Sequence, residues 1–459
     1  MSMSTAIAEL IDNSIQASAK TIAVSIEQIE GGMPEISVED DGRGMTKAEL
    51  ETCLRFGGTS RFDDRASFGR FGMGLPAASL SQSRTVTVTA WTTRVRPLQV
   101  VLDVDDVVRG QQVTLRASRA VENPTTPSGC IVRWPRCDMI EYRRLGWQER
   151  ALHRDLGRMY RRFLQSGLRL TINGTPVKPL DPLLLVSKIE GHNAQLAFEP
   201  MRFELRTEAG QAAFVQVRFS ALPVHAWHRL DNLAKRRAGI VGGGGVSIIR
   251  AGREIAFGWY LMGGKRKENY DDWWRCEIEF EPALDEHFGI TVNKQGIRPS
   301  AELRDALESE LESIARLLNA RVRQAFEDVK FQCAAEASCR IAAAADTQLP
   351  VITTRGRGKA VSSLSYSIRT EQLPADLMFA TQLRQRTVEV TLNVDHPAFS
   401  ALYKPLQSLG EDAAQLRMAV ELLLLSFART SASLEVGGRL PEDLLGMWST
   451  AYGKMLQKS

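Results

Sequence analysis

Hydrophobic and polar positions at the start of the chain recur with the period of a helix. Ile7, Leu10, Ile11 and Ile15 fall on one side, and Glu9, Asp12, Asn13 and Gln16 on the other, which predicts an amphipathic helix with one core face. The period then changes to two. Ile22, Val24 and Ile26 alternate through 21–29, Gly31-Gly32-Met33-Pro34 makes a turn, and 35–39 returns as a second strand. Thr46 and Glu49 have the spacing of a capping box that opens the next helix. Strand patterns follow at 85–91, 98–104, 112–117 and 130–134. Residues 141–170 read as helical and basic, with Leu152, Leu156, Met159, Tyr160 and Phe163 as an apolar seam. Their arginines, Arg158, Arg161 and Arg162 among them, fit a solvated face paired with acids elsewhere better than a nucleic-acid face, because charge runs usually solvate.

The later part of the chain predicts strands at 203–206, 214–219, 246–249, 253–257 and 275–281, with a turn at Ala251-Gly252. Ser300 caps a helix whose stripe of Leu303, Leu307, Leu311, Ile314 and Leu318 runs to about Val329. Residues 333–347 are alanine-rich, and 350–360, with Arg355-Gly356-Arg357-Gly358-Lys359, read as a basic linker. Beyond it a strand at 387–394, an apolar helix at 411–428 and an amphipathic helix at 442–457 are expected. The run 422–425 must be buried somewhere, which suggests a partner or self-association module.

With 459 residues the chain is long enough for about three domains, since single cores rarely outgrow ~250 to 300 residues. Its 44% hydrophobic and 24% charged residues describe an ordinary globular protein, and a net charge of +4 permits contact with nucleic acid without demanding it. Six scattered cysteines show no C-x₂-C pair, and six dispersed histidines form no H-x₃-H or H-E-x-x-H cluster, so a dedicated transition-metal site is not expected. No run reaches ~18 apolar residues and no secretory signal pattern opens the chain, so a soluble, cytoplasmic protein without membrane contact is expected.

Three stretches carry candidate chemistry. Glu9 and Asn13, one helical turn apart, place a carboxylate beside an amide, as a general base beside a Mg²⁺ ligand requires. Asp40-Asp41-Gly42-Arg43-Gly44-Met45 sets a carboxylate at a strand end with two glycines beside it. Phe68-Gly69-Arg70-Phe71-Gly72-Met73-Gly74 opens a helix, and such a loop presents free amides to an anion. It is no Walker A loop, because no G-x₄-G-K-[ST] occurs.

E-x-x-D-N on a helix, D-D-G-R-G at a strand end and G-R-F-G-M-G before a helix together resemble the GHKL ATPase superfamily of gyrase B subunits, ninety-kilodalton heat-shock chaperones, histidine kinases and MutL. The resemblance implies that Glu9 is the general base, Asn13 the Mg²⁺ ligand and Asp12 a water-binding neighbour. It implies that Asp40 reads the adenine amino group beside Gly42, Gly44 and Met45. Gly69, Arg70, Phe71, Gly72, Met73 and Gly74 would wrap the phosphates under a lid. Cys130 stands where many relatives carry a threonine near adenine, and a thiol is the poorer hydrogen-bond partner. Gly-Val-Ser-Ile-Ile-Arg-Ala-Gly-Arg-Glu-Ile at 245–255, followed by a lysine after a short strand, resembles the S5-like second domain of the Microrchidia (MORC) and MutL branch, which makes Lys294 the candidate for reaching the γ-phosphate, with Lys265, Arg266 and Lys267 as rivals.

The implied fold class is α/β (α+β): a GHKL (Bergerat) ATPase sandwich over 1–182, an S5-like α/β domain over 183–330, a linker over 331–360 and a smaller mixed domain over 361–459. The implied function is Mg²⁺-dependent ATP binding and slow hydrolysis that drives lid closure and homodimerisation, as in a MORC-like DNA clamp or remodelling factor, including one of bacterial defence. A heat-shock-type chaperone and a non-hydrolysing nucleotide scaffold are the alternatives. A histidine kinase would need a phospho-accepting histidine in helices ahead of the ATPase domain.

Overall fold

The computed structural model describes residues 1–28, 33–57, 73–112, 114–121, 124–138, 145–207, 209–290, 296–352, 364–374, 377–408 and 411–437. The chain divides into two compact units, Met1–Asn319 and Ala320–Ser459.

The first unit opens with α1 (Met3–Gln16), β1 (Thr21–Gln28), β2 (Pro34–Asp40), α2 (Lys47–Thr52), α3 (Gly74–Leu80), β3 (Thr85–Thr92) and β4 (Val95–Asp103). It continues through α4 (Val104–Val108), β5 (Ser118–Arg119), β6 (Gly129–Trp134), α5 (Leu145–Met159), α6 (Arg161–Gln165), β7 (Arg169–Ile172) and β8 (Thr175–Pro176). Eight strands pair in the order β5-β4-β3-β6-β2-β1-β7-β8, with β1 and β7 parallel and the other neighbours antiparallel. Period-two alternation points Ile22, Val24 and Ile26 of β1 and Ile36, Val38 and Asp40 of β2 to the buried face. There the aliphatic ones meet Ala6, Ile7, Leu10 and Ile11 of α1, Leu152 and Leu156 of α5 and Tyr160 just after it. Each such aliphatic side chain contributes roughly 1.5–3 kcal/mol on full burial. Ser2 caps α1 by accepting from the Thr5 amide, and the expected Thr46–Glu49 capping box opens α2.

Among the described residues of the strand expected at 112–117 none pairs in the sheet, and pairing resumes only at Ser118–Arg119. Asp103 caps α4 by accepting from the amides of Asp105 and Asp106, which turns the chain away from the sheet. The Gln112 amide side chain then bonds Val101 and Asp103 instead of extending a ladder.

A second sheet follows from β9 (Gln195–Leu196), β10 (Met201–Arg206), β11 (Ala212–Ala221), α7 (Val224–Trp227), α8 (Asn232–Arg237), β12 (Val246–Arg250), β13 (Arg253–Gly258), β14 (Trp274–Phe280) and α9 (Asp285–Phe288) to α10 (Ala301–Asp346). Its order is β10-β11-β14-β12-β13, with β9 on β11 and with β12 and β14 parallel. The β12–β13 turn places Ala251 at φ 48° and Gly252 at φ 81°, the left-handed pair that a tight hairpin requires. Leu303, Leu307, Leu311, Ala315 and Leu318 of α10 bury against Ile248, Trp274, Ile278 and Phe280.

The helix expected to end near Val329 continues to Asp346, so 331–346, read as the start of a linker, is helical. Alanine is the strongest helix former, and Phe331, Ala335, Ala342 and Ala345 give the segment a buried stripe. In the second unit that stripe shares a core with β15 (Ser365–Glu371), β16 (Phe379–Arg384), β17 (Thr387–Asn393) and α12 (Glu411–Gly437), which follows the short α11 (Lys404–Ser408). Leu422, Leu424 and Leu425 are buried in this core, so the run that suggested a partner is covered within its own unit. The helix expected at 442–457 lies outside the described residues. Among the described residues no helix is long and apolar enough to cross a membrane.

Candidate functional site

The second face of α1 is not a surface. Glu9 is 4% exposed and Asp12 1%, because α3 and α5 pack across the face that amphipathicity marks as polar. Gly74, the first residue of α3, approaches so closely that a Cβ there would lie 2.7 Å from Glu9 Oε2. A residue with a side chain at 74 would displace the Glu9 carboxylate. Asn13, on the same face, is half-buried.

Asp40, 7% exposed, is the last residue of β2 on the core side. Its Oδ2 accepts from the Ser14 hydroxyl of α1 at 2.7 Å and its Oδ1 from the Gly42 amide at 2.9 Å. Burial raises its pKa above the ordinary carboxylate value, against the lowering by Ser14 and Gly42. Its neighbour Asp41 does the opposite. Burial pushes Asp41 up, yet the amides of Thr21 and Lys20, at 2.8 and 2.7 Å from Oδ1, outweigh it and hold its pKa low. Alternation thus gives one aspartate to the site and one to the turn before β1.

Cys130 of β6 is the direct cross-strand partner of Asp40, so the thiol and the carboxylate stand side by side on one face. Burial pushes the thiol well up, and Asp40 adds to the shift, so the side chain stays a neutral thiol. Gly42 and Gly44 are required by the protein's own crowding. A Cβ at Gly42 would meet Ala17 at 2.8 Å, and one at Gly44, whose φ is +70°, would meet the Trp91 carbonyl at 1.8 Å. Met45 packs half-buried against the first core, and Met73 stands at the N-cap of α3 without a side-chain cap. Gly69, Arg70, Phe71, Gly72 and Lys294 lie outside the described residues.

Two of the three rivals to Lys294, Lys265 and Lys267, are engaged within the second sheet's own loop, while Arg266 is exposed. Lys265 is buried, with Nζ at 2.7 Å from both oxygens of Asp271, and Lys267 donates to the Gly244 carbonyl at 2.6 Å. A cation that sequence reasoning did not single out reaches α1 instead. Arg253, the first residue of β13 and 2% exposed, sets Nε at 2.9 Å from Asp12 Oδ1. Tyr160 completes the group, its hydroxyl 2.8 Å from the same oxygen and 2.7 Å from the Ala8 carbonyl. Burial pulls the Arg253 pKa down, but Asp12, Tyr160 and Glu9 outweigh it and hold the guanidinium charged.

The arginines of 141–170 serve a related purpose. Arg158 pairs with Glu254 at 2.6 Å; Arg161, itself buried, reaches Glu254, Ser247 and Glu277; and Arg162 reaches Glu277 and Glu279. Burial raises the Glu277 pKa, but Arg161 and Arg218 overcome it and keep the carboxylate ionised. Acids of the second sheet therefore take up these three arginines.

Comparison with known proteins agrees with this arrangement. Residues 1–126 match the family described as histidine kinase-, DNA gyrase B-, and HSP90-like ATPase. The DNA mismatch repair protein MutL of Sphingopyxis alaskensis is 40% identical over 96 residues, which cover 19% of this chain and 16% of that protein. MutL of Acidiphilium cryptum is 37% identical over 87 residues, 18% of this chain and 15% of its own length. MutL of Pseudothermotoga lettingae is 49% identical over 55 residues, 12% of this chain and 10% of its own. The chain thus spans only a small part, 10–16%, of the curated relatives named here. Residues 1–126, which carry both buried carboxylates, thus resemble the ATP-binding segment of the GHKL superfamily.

Proposed function

We propose that this chain binds ATP with Mg²⁺ and hydrolyses it slowly, as a conformational switch. The observation that carries the reading is the pair of buried carboxylates that α1 helps to position, Glu9 against Gly74 and Asp40 against Ser14, inside the matched segment. Asp40 fits an adenine amino group, since a carboxylate has about four lone-pair sites and the two donors named above leave room for another. Among the described residues no group of three or more His, Cys, Asp or Glu could hold a metal ion. Asn13, water and the nucleotide's own phosphates fit Mg²⁺, which keeps several waters and takes few protein ligands. When bound, that ion would neutralise charge building up between the β- and γ-phosphates.

In this reading Glu9 orients a water in line with the γ-phosphorus and takes its proton as the new P–O bond forms. The bond to the bridging oxygen breaks, and ADP and phosphate leave. Gly69 to Gly74 close over the phosphates, Cys130 and Met45 border the base, and Lys294 supplies a positive charge to the γ-phosphate. Closure favours a homodimer. DNA is the proposed client, after the MORC-like branch and the mismatch repair function in the relatives' name, and the exposed Arg236 and Arg237 on α8 are cations it could meet.

The test is phosphate release from Mg·ATP by the wild type and by Glu9→Ala, with solution mass followed in a non-hydrolysable analogue. Release should fall about 10²- to 10⁴-fold in Glu9→Ala while nucleotide binding persists, the range for loss of a general base. A wild type without phosphate release and without a change in mass would sink the switch. DNA retention that weakens steeply with salt belongs to the clamp, whereas hydrolysis without any DNA retention would turn the reading to a protein client.

A further inference from the structure

The cation that meets the catalytic face of α1 comes from the second sheet. Asp12 lies three residues beyond Glu9 and one before Asn13, so the orientation of α1 about its axis sets all three side chains together. Among the described residues, Arg253 Nε at 2.9 Å and the Tyr160 hydroxyl at 2.8 Å hold Asp12 from outside the helix. Tyr160 follows α5 and also reaches the Ala8 carbonyl at 2.7 Å, so α1 is gripped at side chain and backbone within one turn of Glu9. Arg253 Nε lies 3.4 Å from the Tyr160 oxygen, and its guanidinium stands 5.7 Å from the ring centroid. The grip is fully buried and tied to β13, whose next residue, Glu254, takes Arg158 and Arg161 from α5 and α6.

Arg253 also lines an open cleft of about 360 Å³ with Ser2, Thr5, Met159 and Tyr260. Thr5 is one turn before Glu9, so the cleft borders the helix face that carries the proposed base. Arg253 therefore joins the wall of this open cleft to the acid face of α1, where a movement of β13 would be felt by Glu9.

We infer that Arg253 is a positioning residue for hydrolysis: through Asp12 and Tyr160 it holds α1 so that Glu9 and Asn13 are aligned, and it makes hydrolysis depend on the placement of the second sheet. This rests on the ATPase reading above. The residue does not touch the nucleotide in this account, so its loss should lower kcat and spare nucleotide affinity.

The experiment uses the full chain with Arg253→Met, Arg253→Lys, Asp12→Asn, the Arg253→Met/Asp12→Asn double variant and Glu9→Ala beside the wild type. Single-turnover hydrolysis, ATP affinity and hydrogen exchange of peptides covering α1 are measured together. Arg253→Met should lower kcat about 10- to 100-fold, the scale of a misplaced catalytic group, with affinity within about threefold and faster exchange in α1. Arg253→Lys should recover part of the rate, and the double variant should be no slower than the slower single one, because both remove the same link. Wild-type kcat and wild-type α1 exchange in both Arg253→Met and Asp12→Asn would overturn the inference, as would equal loss of affinity and rate. If the wild type and Glu9→Ala are equally inactive, the ATPase reading fails on its own, and the α1 exchange of the Arg253 and Asp12 variants still decides whether β13 holds the helix.

Discussion

Both compact units bury a triad of aspartate, tyrosine and arginine, and the two triads have almost the same geometry. In the first unit Asp12 Oδ1 accepts from the Tyr160 hydroxyl at 2.8 Å and pairs with Arg253 Nε at 2.9 Å. In the second, Asp346 Oδ1 accepts from the Tyr366 hydroxyl at 3.0 Å and from Arg429 Nε at 2.6 Å. Burial raises the pKa of both tyrosines, so both hydroxyls remain donors. What differs is the company. Asp12 shares a helix face with Glu9 and Asn13, and Arg253 borders an open cleft. Asp346 ends α10, with Leu364 N at 3.4 Å from its Oδ2, and Arg429 donates to the Pro350 carbonyl at 2.6 Å, so the second triad ties chain segments to one another. A buried, satisfied ion pair is therefore no sign of chemistry by itself. Its neighbours decide.

The comparison breaks most sharply at Arg429. Arg429→Met leaves Asp346 buried without its cation, which should destabilise the second unit by about 3–5 kcal/mol. Denaturant unfolding followed by hydrogen exchange should show the loss in β15–β17 and α12, and hydrolysis by the first unit should stay within twofold. A large loss of hydrolysis in Arg429→Met would erase the distinction between the triads.

A smaller and more discriminating pair is Tyr160→Phe against Tyr366→Phe. Each removes one hydroxyl from a buried carboxylate, and each should cost about 1–3 kcal/mol as the acceptor loses a donor. Tyr160→Phe should also reduce single-turnover hydrolysis, whereas Tyr366→Phe should not. Equal effects on rate would place both triads in the same structural class.

The finest comparison lies between adjacent residues. Asp40 has a raised folded-state pKa, so its contribution is fully present below the ordinary value of 3.8 and is lost as pH rises through the folded value. Asp41 has a lowered one, so its contribution is present above 3.8 and is lost as pH falls through its folded value. Stability measured from pH 3 to 7 should accordingly show Asp40→Asn improving relative to wild type as pH rises, and Asp41→Asn worsening over the same range. Parallel curves would contradict the division of labour between the two aspartates.

Much of the site's scaffold is local and was readable. Alternation through β2 delivers Asp40 to the core side, and the Thr46–Glu49 spacing sets the start of α2. Amphipathicity placed Glu9, Asp12, Asn13 and Gln16 together, but it could not say that the polar face is buried, since a periodic pattern reports which residues share a face and not what covers it. The alanine-rich stretch after Val329 read as the start of a linker and is helix, because its apolar partners on β15–β17 lie far along the chain. Among the described residues of 112–117 the strand pattern lost to the Asp103 cap and the Gln112 side chain, hydrogen bonds that compete with a ladder and carry no period.

By itself the sequence determined the helix bearing Glu9 and Asn13, the strand end bearing Asp40 and the α/β class, because each follows from a repeat of two or 3.6 residues or from a cap a few residues away. Tertiary structure alone decided that Arg253 meets Asp12, that Ser14 meets Asp40, and that Arg158, Arg161 and Arg162 meet Glu254, Glu277 and Glu279. Such pairs join residues far apart in the chain, and their partners are chosen by the register of strands and the packing of helices across buried layers, where a charge must find its opposite or not be buried at all.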